Sequence, residues 1–280
     1  MKSKMLKVLA AALLISFSFS CKKSNEPTTQ SVKVQSLFEI LEGKNVKTNG
    51  NIVLTASSYS FSNPMLGQMD VDGWFKDKDG VATKADKLLI GGQNIAEQSN
   101  FRYVGHFSSS TNKTDINQIA ESLFGNDVSI TLNNPQFGNV EASLYSPSTL
   151  RMDVSDAKNN VLLKSKGFTV KWNPDNKDKV LLRNGAEPLV AAMIVYHSGF
   201  SSNQSQQVLP SENVTAFKVA NDATGEVTFS PQELAALPTN GYVIVYTGRA
   251  NQVIVPSSNG QTLGITALAL SSSQEIRIGN

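Results

Sequence analysis

Between Asn49 and Leu270 the chain reads as short apolar runs punctuated by Asx-Gly pairs. Ile52 to Phe61 (IVLTASSYSF), Phe168 to Trp172 (FTVKW), Met193 to Tyr196 (MIVY), Tyr242 to Tyr246 (YVIVY) and Leu263 to Leu270 (LGITALAL) are rich in β-branched and aromatic residues. FTVKW alternates apolar with polar, the period of a half-buried strand. YVIVY is apolar throughout, which predicts a central strand covered on both faces. Asn49-Gly50, Asp72-Gly73, Asp79-Gly80, Asn184-Gly185, Asn240-Gly241 and Asn259-Gly260 tolerate the positive φ that tight hairpin turns require. The pattern predicts a mainly β protein.

One to three short helices interrupt it. Ser230-Pro231-Gln232-Glu233 has serine at the cap, proline at the first helical position and glutamate at the third, and Pro238 ends the segment. Asp115 to Phe124 (DINQIAESLF) spaces Ile116, Ile119, Ala120 and Leu123 along one helical face before Gly125. Ser36 to Gly43 (SLFEILEG) has capping-box spacing between Ser36 and Glu39, with a strand as the competing reading. A boundary is expected around Ser146-Pro147-Ser148, giving two β-sandwich-like domains over residues 36–147 and 148–280. The second holds seven or so candidate strands at sandwich spacing.

The N-terminus follows a different pattern. Lys2, Lys4 and Lys7 precede an apolar core from Val8 to Ile15, then alternating serine and phenylalanine up to Cys21, the chain's one cysteine. An apolar stretch counted to Phe19 is shorter than the ~20 residues of a spanning helix, and suits an export signal over residues 1–20. Ser20 supplies a small residue at the cut. The arrangement resembles the bacterial lipoprotein signal over residues 1–21, departing from it at Ser18 and Phe19. That resemblance implies a diacylglyceryl group on Cys21, a membrane partner through the lipid, and a place in the cell envelope at the outer membrane, with either face open. A secretory signal with a nearby free cysteine, and a buried N-terminal helix, are other readings of the same residues. Lys22 to Lys33 (KKSNEPTTQSVK) is polar, holds Pro27 and reaches ~40 Å when extended, so residues 21–35 are expected to be a lipidated flexible tether.

Processing changes the charge. The signal holds three of 25 basic residues and none of 23 acidic ones, leaving 22 against 23, a net charge of −1. No electrostatic basis for nucleic-acid binding survives. With Cys21 committed to lipid, no disulfide is available and stability must come from burial. The order of a Trp-bearing strand, MIVY, a short helical insert and YVIVY within residues 148–280 loosely resembles immunoglobulin-like and fibronectin-like modules, without the paired cysteines of true immunoglobulin domains.

Candidate chemistry is sparse. His106 and His197 both sit in strand-like runs, and HExxH, GxSxG and Walker-type signatures are absent. Asp70, Asp72, Asp77 and Asp79 in DVDGWFKDKDG offer hard oxygens for calcium, the one cofactor considered, without EF-hand spacing. The competing reading is two turns flanking a short strand with Trp74 facing the core. The loop Trp172 to Asp178 is a second, weaker calcium candidate. Tyr59, Trp74, Tyr103, Phe107 and Phe200 are candidate stacking surfaces for a glycan, Trp74 and Phe200 foremost. Asp79, Asp175 and Asp222 read as turn residues. The expected function is a non-catalytic binding or scaffold module for a glycan or envelope protein. A loop-built carboxylate hydrolase and a structural or adhesin spacer are the alternatives, because fold class alone does not carry function.

Overall fold

The computed structural model describes residues 48–59, 66–108, 122–154, 156–157, 160–175, 189–197, 215–239 and 241–279. The signal, Cys21, the tether, the Ser36 segment, Asn184-Gly185 and Phe200 lie outside these residues. So does the Asp115 segment, apart from Ser122 to Phe124, of which Ser122 and Leu123 are helical.

The first seven strands are β1 (Gly50–Tyr59), β2 (Leu66–Phe75), β3 (Lys87–Ile90), β4 (Gln93–Asn94), β5 (Arg102–Ser108), β6 (Asn126–Asn133) and β7 (Val140–Ser146). After residues 147–151 come β8 (Met152–Asp153), β9 (Val161–Leu163), β10 (Phe168–Trp172), β11 (Leu189–His197), β12 (Thr215–Asn221) and β13 (Glu226–Phe229). One short helix, α1 (Pro231–Leu234), precedes β14 (Tyr242–Pro256), β15 (Thr262–Ser272) and β16 (Ile276–Gly279).

Nine of these strands build one large sheet, whose main order is β12-β11-β14-β15-β1-β2-β5, with β16 on β14 and β9 on β16. Two smaller sheets complete the fold, β4-β3-β6-β7 and β13-β10-β8. Each covers a different half of the large sheet. One core joins Ile52, Leu54, Met69 and Val71 of the large sheet to Leu88, Val128, Ile130 and Leu132 of the four-stranded sheet. The other joins Ala192, Ile194, Val243 and Val245 to Phe168, Val170 and Phe229 of the three-stranded sheet. Full burial of such side chains contributes about 1.5–3 kcal/mol each, so each core draws on many such terms.

The two cores share the β14–β15 hairpin. Its tip is the Asn259-Gly260 pair, where Gly260 has φ +77° and Ser257 N–H donates to Gln261 O at 2.7 Å. The tip is fastened to the loop between β6 and β7: Ser257 Oγ donates to Phe137 O at 2.7 Å, and Asn259 Nδ2 to Gln136 O at 3.2 Å. Phe137 itself is fully buried against Phe75, with ring centroids 5.6 Å apart.

The chain is mainly β, as its pattern predicts, and its facing sheets are sandwich-like. The boundary expected near residue 147 falls where the chain passes from β7 towards β8, but the large sheet crosses it. β1 pairs in parallel with β15, from Gly50↔Leu263 to Tyr59↔Ser272, and residues 47–280 form one compact unit. The halves correspond to two cores on a common sheet.

Local expectations divide in the same way. FTVKW is β10, MIVY lies in β11, and α1 starts at the Ser230 cap with both bonds of the capping box formed. Asp72-Gly73 is no turn; it runs through the middle of β2, where Gly73 pairs with Ile52 of β1. Tyr242 to Tyr246 has β11 along one side and β16, then β15 from Tyr246, along the other, but its outward residues are only partly covered and Tyr242 is exposed.

Candidate functional site

Along the inward face of β14 the side chains change character twice. Val243 and Val245 belong to the second core and Val253 and Val255 pack against the first, while Thr247, Arg249 and Asn251 lie between them. On the same level of the neighbouring strands are Ser271 of β15 and Ser58 of β1, in register with Thr247 and with each other. A buried polar seam therefore lies between the two larger cores, beside a small third apolar cluster of Leu150, Trp172, Val190 and Ala269.

Arg249 is its centre. Its Nη1 contacts both oxygens of Asp222, at 3.0 and 3.1 Å, and donates to Asn173 O at 3.0 Å. Nη2 donates to Ser148 O at 2.9 Å, Ser148 Oγ at 2.8 Å and Thr149 O at 3.3 Å, and Nε to Ser148 O at 3.2 Å. Both side chains of the ion pair are 4% exposed. Taking two charges out of water costs several kcal/mol per ion, which is offset only where geometry is good and the remaining donors are bonded. Here all three guanidinium nitrogens have acceptors.

The acidic partner is positioned by its own turn. Asp222 follows the end of β12, where Asn221 Oδ1 accepts from Ala223 N–H at 2.9 Å and Gly225 takes φ +68°. Asp222 Oδ2 also accepts from Asp175 N–H at 2.9 Å, and Asp222 O from Trp172 Nε1 at 3.1 Å. Asp175 Oδ1 accepts from Tyr145 Oη at 2.9 Å and from Ser148 N–H at 3.2 Å. Asn251 Nδ2 donates to Tyr145 O at 2.9 Å. Burial first, then the Asp175 carboxylate and its hydrogen bond, push the Tyr145 phenol well above the ordinary tyrosine range. Ser58 Oγ donates to Leu150 O on the same seam.

A cavity of about 20 Å³ lies beside Pro147, Asp175, Asp222, Arg249 and Asn251. That is room for one water molecule and not for an organic substrate. The groups lining it hold one another in place, and the seam is structural chemistry.

Of the residues singled out from the sequence, Trp172, Asn173 and Asp175 of the second calcium candidate lie in this seam, and the other described ones are placed elsewhere. Asp70 and Asp72 lie on the outer face of β2, and Asp72 is bound by Arg102 of β5, whose Nε donates to its Oδ1 at 2.8 Å. Asp77 Oδ1 accepts from the N–H groups of Asp79 and Val81, each at 2.9 Å, closing the turn at Gly80. Among the described residues no three His, Cys, Asp or Glu side chains form a group able to hold a metal ion. Trp74 does not face the core. It stands half-buried on the outer face of β2, with Lys76 Nζ 5.3 Å from its ring centroid. Tyr103 is buried, its Oη accepting from Ala85 N–H at 2.6 Å and donating to Ala85 O at 2.9 Å, so it offers no stacking surface. His197 ends β11, His106 and Phe107 lie in β5, and Tyr59 ends β1.

Arg249, Tyr145, Asp175 and Asp222 were not legible as a set. Asp175 and Asp222 are in turns, as their residue type suggests, and only the tertiary fold buries them. One signal was present: TGRAN interrupts an alternating apolar strand on its inward positions, where a charged residue needs a partner.

The molecule is thus a mainly β protein with two cores on one sheet, joined by a polar seam. No protein-family model and no curated protein sequence matches it. Among the solved structures that overlap it in part are three adhesin chains. A Ca2+-stabilized adhesin that helps an Antarctic bacterium reach out and bind ice shares 12% identity at a TM-score of 0.22, over 84% of this chain and 49% of that one. A 1.5-MDa bacterial ice-binding adhesin, concerned with host cell surface retention, shares 13% at 0.20, over 84% and 66%. The tetra-tandem repeat in the extending region of a large adhesion protein shares 13% at 0.23, over 80% and 50%. The chain spans about half to two thirds of the length of these chains, and TM-scores of this size define no common fold.

Proposed function

We propose that this chain is a non-catalytic module of the bacterial cell envelope, anchored through lipid on Cys21, that binds a glycan or acts as a scaffold for another envelope protein. The observation that carries the non-catalytic reading is the use of seven carboxylates among the described residues. Asp222 neutralises Arg249, Asp175 accepts from Tyr145, Asp77 closes a turn, Asp72 holds Arg102 and Asp156 accepts from Thr169 N–H. Glu97 pairs with Lys84 and Glu233 with Lys218 and Ser230. Hydrolysis of a glycoside by paired acids needs two carboxyl groups about 5–9.5 Å apart and open to substrate. These groups are employed in holding turns and strands.

Support for binding comes from the outer face of β2. Trp74 presents an indole beside the Asp72–Arg102 pair, an apolar plane next to hydrogen-bonding groups. A sugar ring is recognised by that combination, its C–H face on the indole and its hydroxyls on the polar pair. The test is a glycan array with the purified mature chain, run alongside affinity capture of the lipidated protein from membranes. Expected is selective retention of a glycan that Trp74→Ala weakens at least tenfold, or capture of an envelope protein. Release of shortened products from the array would overturn the non-catalytic reading; silence in both experiments would overturn the binding one.

A further inference from the structure

The three-stranded sheet β13-β10-β8 differs from the rest of the fold in how it is attached. Its strands are 4, 5 and 2 residues long, and none pairs with the large sheet. What it does cover is a dense apolar core, with Phe168, Val170 and Phe229 set against Ala192, Ile194, Val243 and Val245. One edge of this layer is tied down by Lys164, whose Nζ donates to Ala235 O at 3.1 Å and to Leu237 O just after α1. The seam end is tied down by Arg249. Its acceptors Ser148 O, Thr149 O, Asn173 O and the Asp222 carboxylate all belong to segments that enter or leave β8, β10 and the β12–β13 turn. Arg249 itself is on the large sheet.

We infer that the three-stranded layer is a separately cooperative flap over the second core, and that Arg249 is the latch that holds its seam end closed. The physical basis is the distribution of attachments. The four-stranded sheet is fixed to the large sheet by its own core and by the docked tip of the β14–β15 hairpin. The flap has short ladders and a polar seam on its inner border, where only a small apolar cluster of Leu150, Trp172, Val190 and Ala269 accompanies the Arg249 bonds. Apolar packing does not run continuously from one core to the other along β14, because Thr247, Arg249 and Asn251 intervene. Regions with few ladders and few shared apolar contacts open at lower free energy than the whole molecule. Removing one partner of a buried ion pair leaves the other charge uncompensated, so the segments that carry Asp222 and the bonded carbonyls lose most. Opening would bare Phe168 and Phe229 while the first core stays folded. The inference is independent of what the module binds.

Hydrogen exchange of the full mature chain, read by mass spectrometry under native conditions, tests it. In Arg249→Met the amides of Phe168–Trp172 and Glu226–Phe229 are expected to exchange on the order of 10²–10³-fold faster, while those of Asn126–Asn133 and Gly50–Tyr59 change less than about tenfold. Arg249→Lys keeps the charge without the planar fork, and should give a smaller acceleration confined to the same two segments. Asp222→Asn should reproduce the pattern from the other side of the pair. Equal acceleration of all four segments would show that Arg249 supports global stability only, and would overturn the latch. So would unchanged exchange in every variant, or loss of both cores together in Arg249→Met.

Discussion

Tyr145, the penultimate residue of β7, donates its phenolic hydrogen to Asp175 Oδ1 across 2.9 Å, and so links the four-stranded sheet to the loop that leaves β10. Both side chains are buried. The phenol is held neutral by burial and by the adjacent carboxylate, which places its folded-state pKa above that of the unfolded chain. Stability from this group is fully present below the unfolded value of about 10 and is lost as pH rises from there towards the folded pKa. Thermal melts from pH 8 to 11.5 should therefore show a falling midpoint above about pH 10. Tyr145→Phe should lower stability at pH 8 by about 1.5–3 kcal/mol, the range for hydrogen bonds to charged groups, and flatten the alkaline fall. Tyr103, also raised first by burial, leaves a residual slope. An unchanged slope in Tyr145→Phe would count against the assignment.

At acid pH the responsible group is different. Glu233 closes the capping box of α1, its Oε2 accepting from Ser230 N–H at 2.8 Å and meeting Lys218 Nζ at 2.8 Å. Lys218, then the Ser230 backbone, hold its carboxyl below the usual range. A depressed pKa contributes stability above the unfolded value, and that contribution is lost as pH falls through the folded one. Glu233→Gln is therefore expected to destabilise at pH 7 and to be closer to wild type at pH 3. Ser230→Ala should cost about 1 kcal/mol at pH 7 and less at pH 3, since its hydroxyl both caps Glu233 N–H and donates to the Glu233 carboxylate, and only the second bond depends on that carboxyl being ionised. Denaturant midpoints at the two pH values separate these effects.

The capping box was legible because everything it needs lies within four residues. FTVKW and the Asn259-Gly260 turn were legible for the same reason: alternation and turn chemistry are local. The common sheet was not. Thr262 N–H donates to Asn49 Oδ1 213 positions away, and nothing in either neighbourhood specifies that β1 will lie parallel to β15. Asp72-Gly73 shows the converse, since a pair suited to a turn is held extended by its register with β1 and β5. Trp74 had two readings, facing the core or exposed for stacking, because a shift of one residue inverts the assignment, and the register puts it on the outer face. The seam was hidden because an aspartate in a turn looks the same whether water or Arg249 faces it.

Gly138 occupies the place where the β6–β7 loop meets the hairpin tip. Its φ is +102°, and a Cβ there would lie 2.7 Å from Asn259 N and 2.8 Å from Ser257 Oγ. An alanine must adopt a disfavoured backbone conformation and push the tip away, at a cost of roughly 1–3 kcal/mol. Gly80, also at positive φ but with nothing near its Cβ position, is the matched control. Gly138→Ala should lose more stability than Gly80→Ala in the same denaturation series, and should weaken protection at Ser257 and Gly260, whose N–H groups close the tip. Equal losses would mean that the docked tip contributes little beyond backbone strain.

The proposed anchor makes the last prediction. Each buried methylene contributes ~0.8 kcal/mol to membrane binding, and a single acyl chain gives only marginal, reversible attachment. A diacylglyceryl group on Cys21 supplies two chains on one residue, so attachment is expected to be stable, with residues 22–35 as the spacer to the folded unit. Cys21→Ser removes the only atom able to carry the thioether while leaving the folded unit untouched. Expressed in a bacterial host, the unsubstituted chain should sediment with membranes, resist salt washing and partition into detergent. Cys21→Ser should shift to the soluble fraction with the same thermal midpoint as the purified mature chain. Unchanged partition of Cys21→Ser into membranes would remove the lipid from the account, and would leave the N-terminal apolar stretch as the attachment.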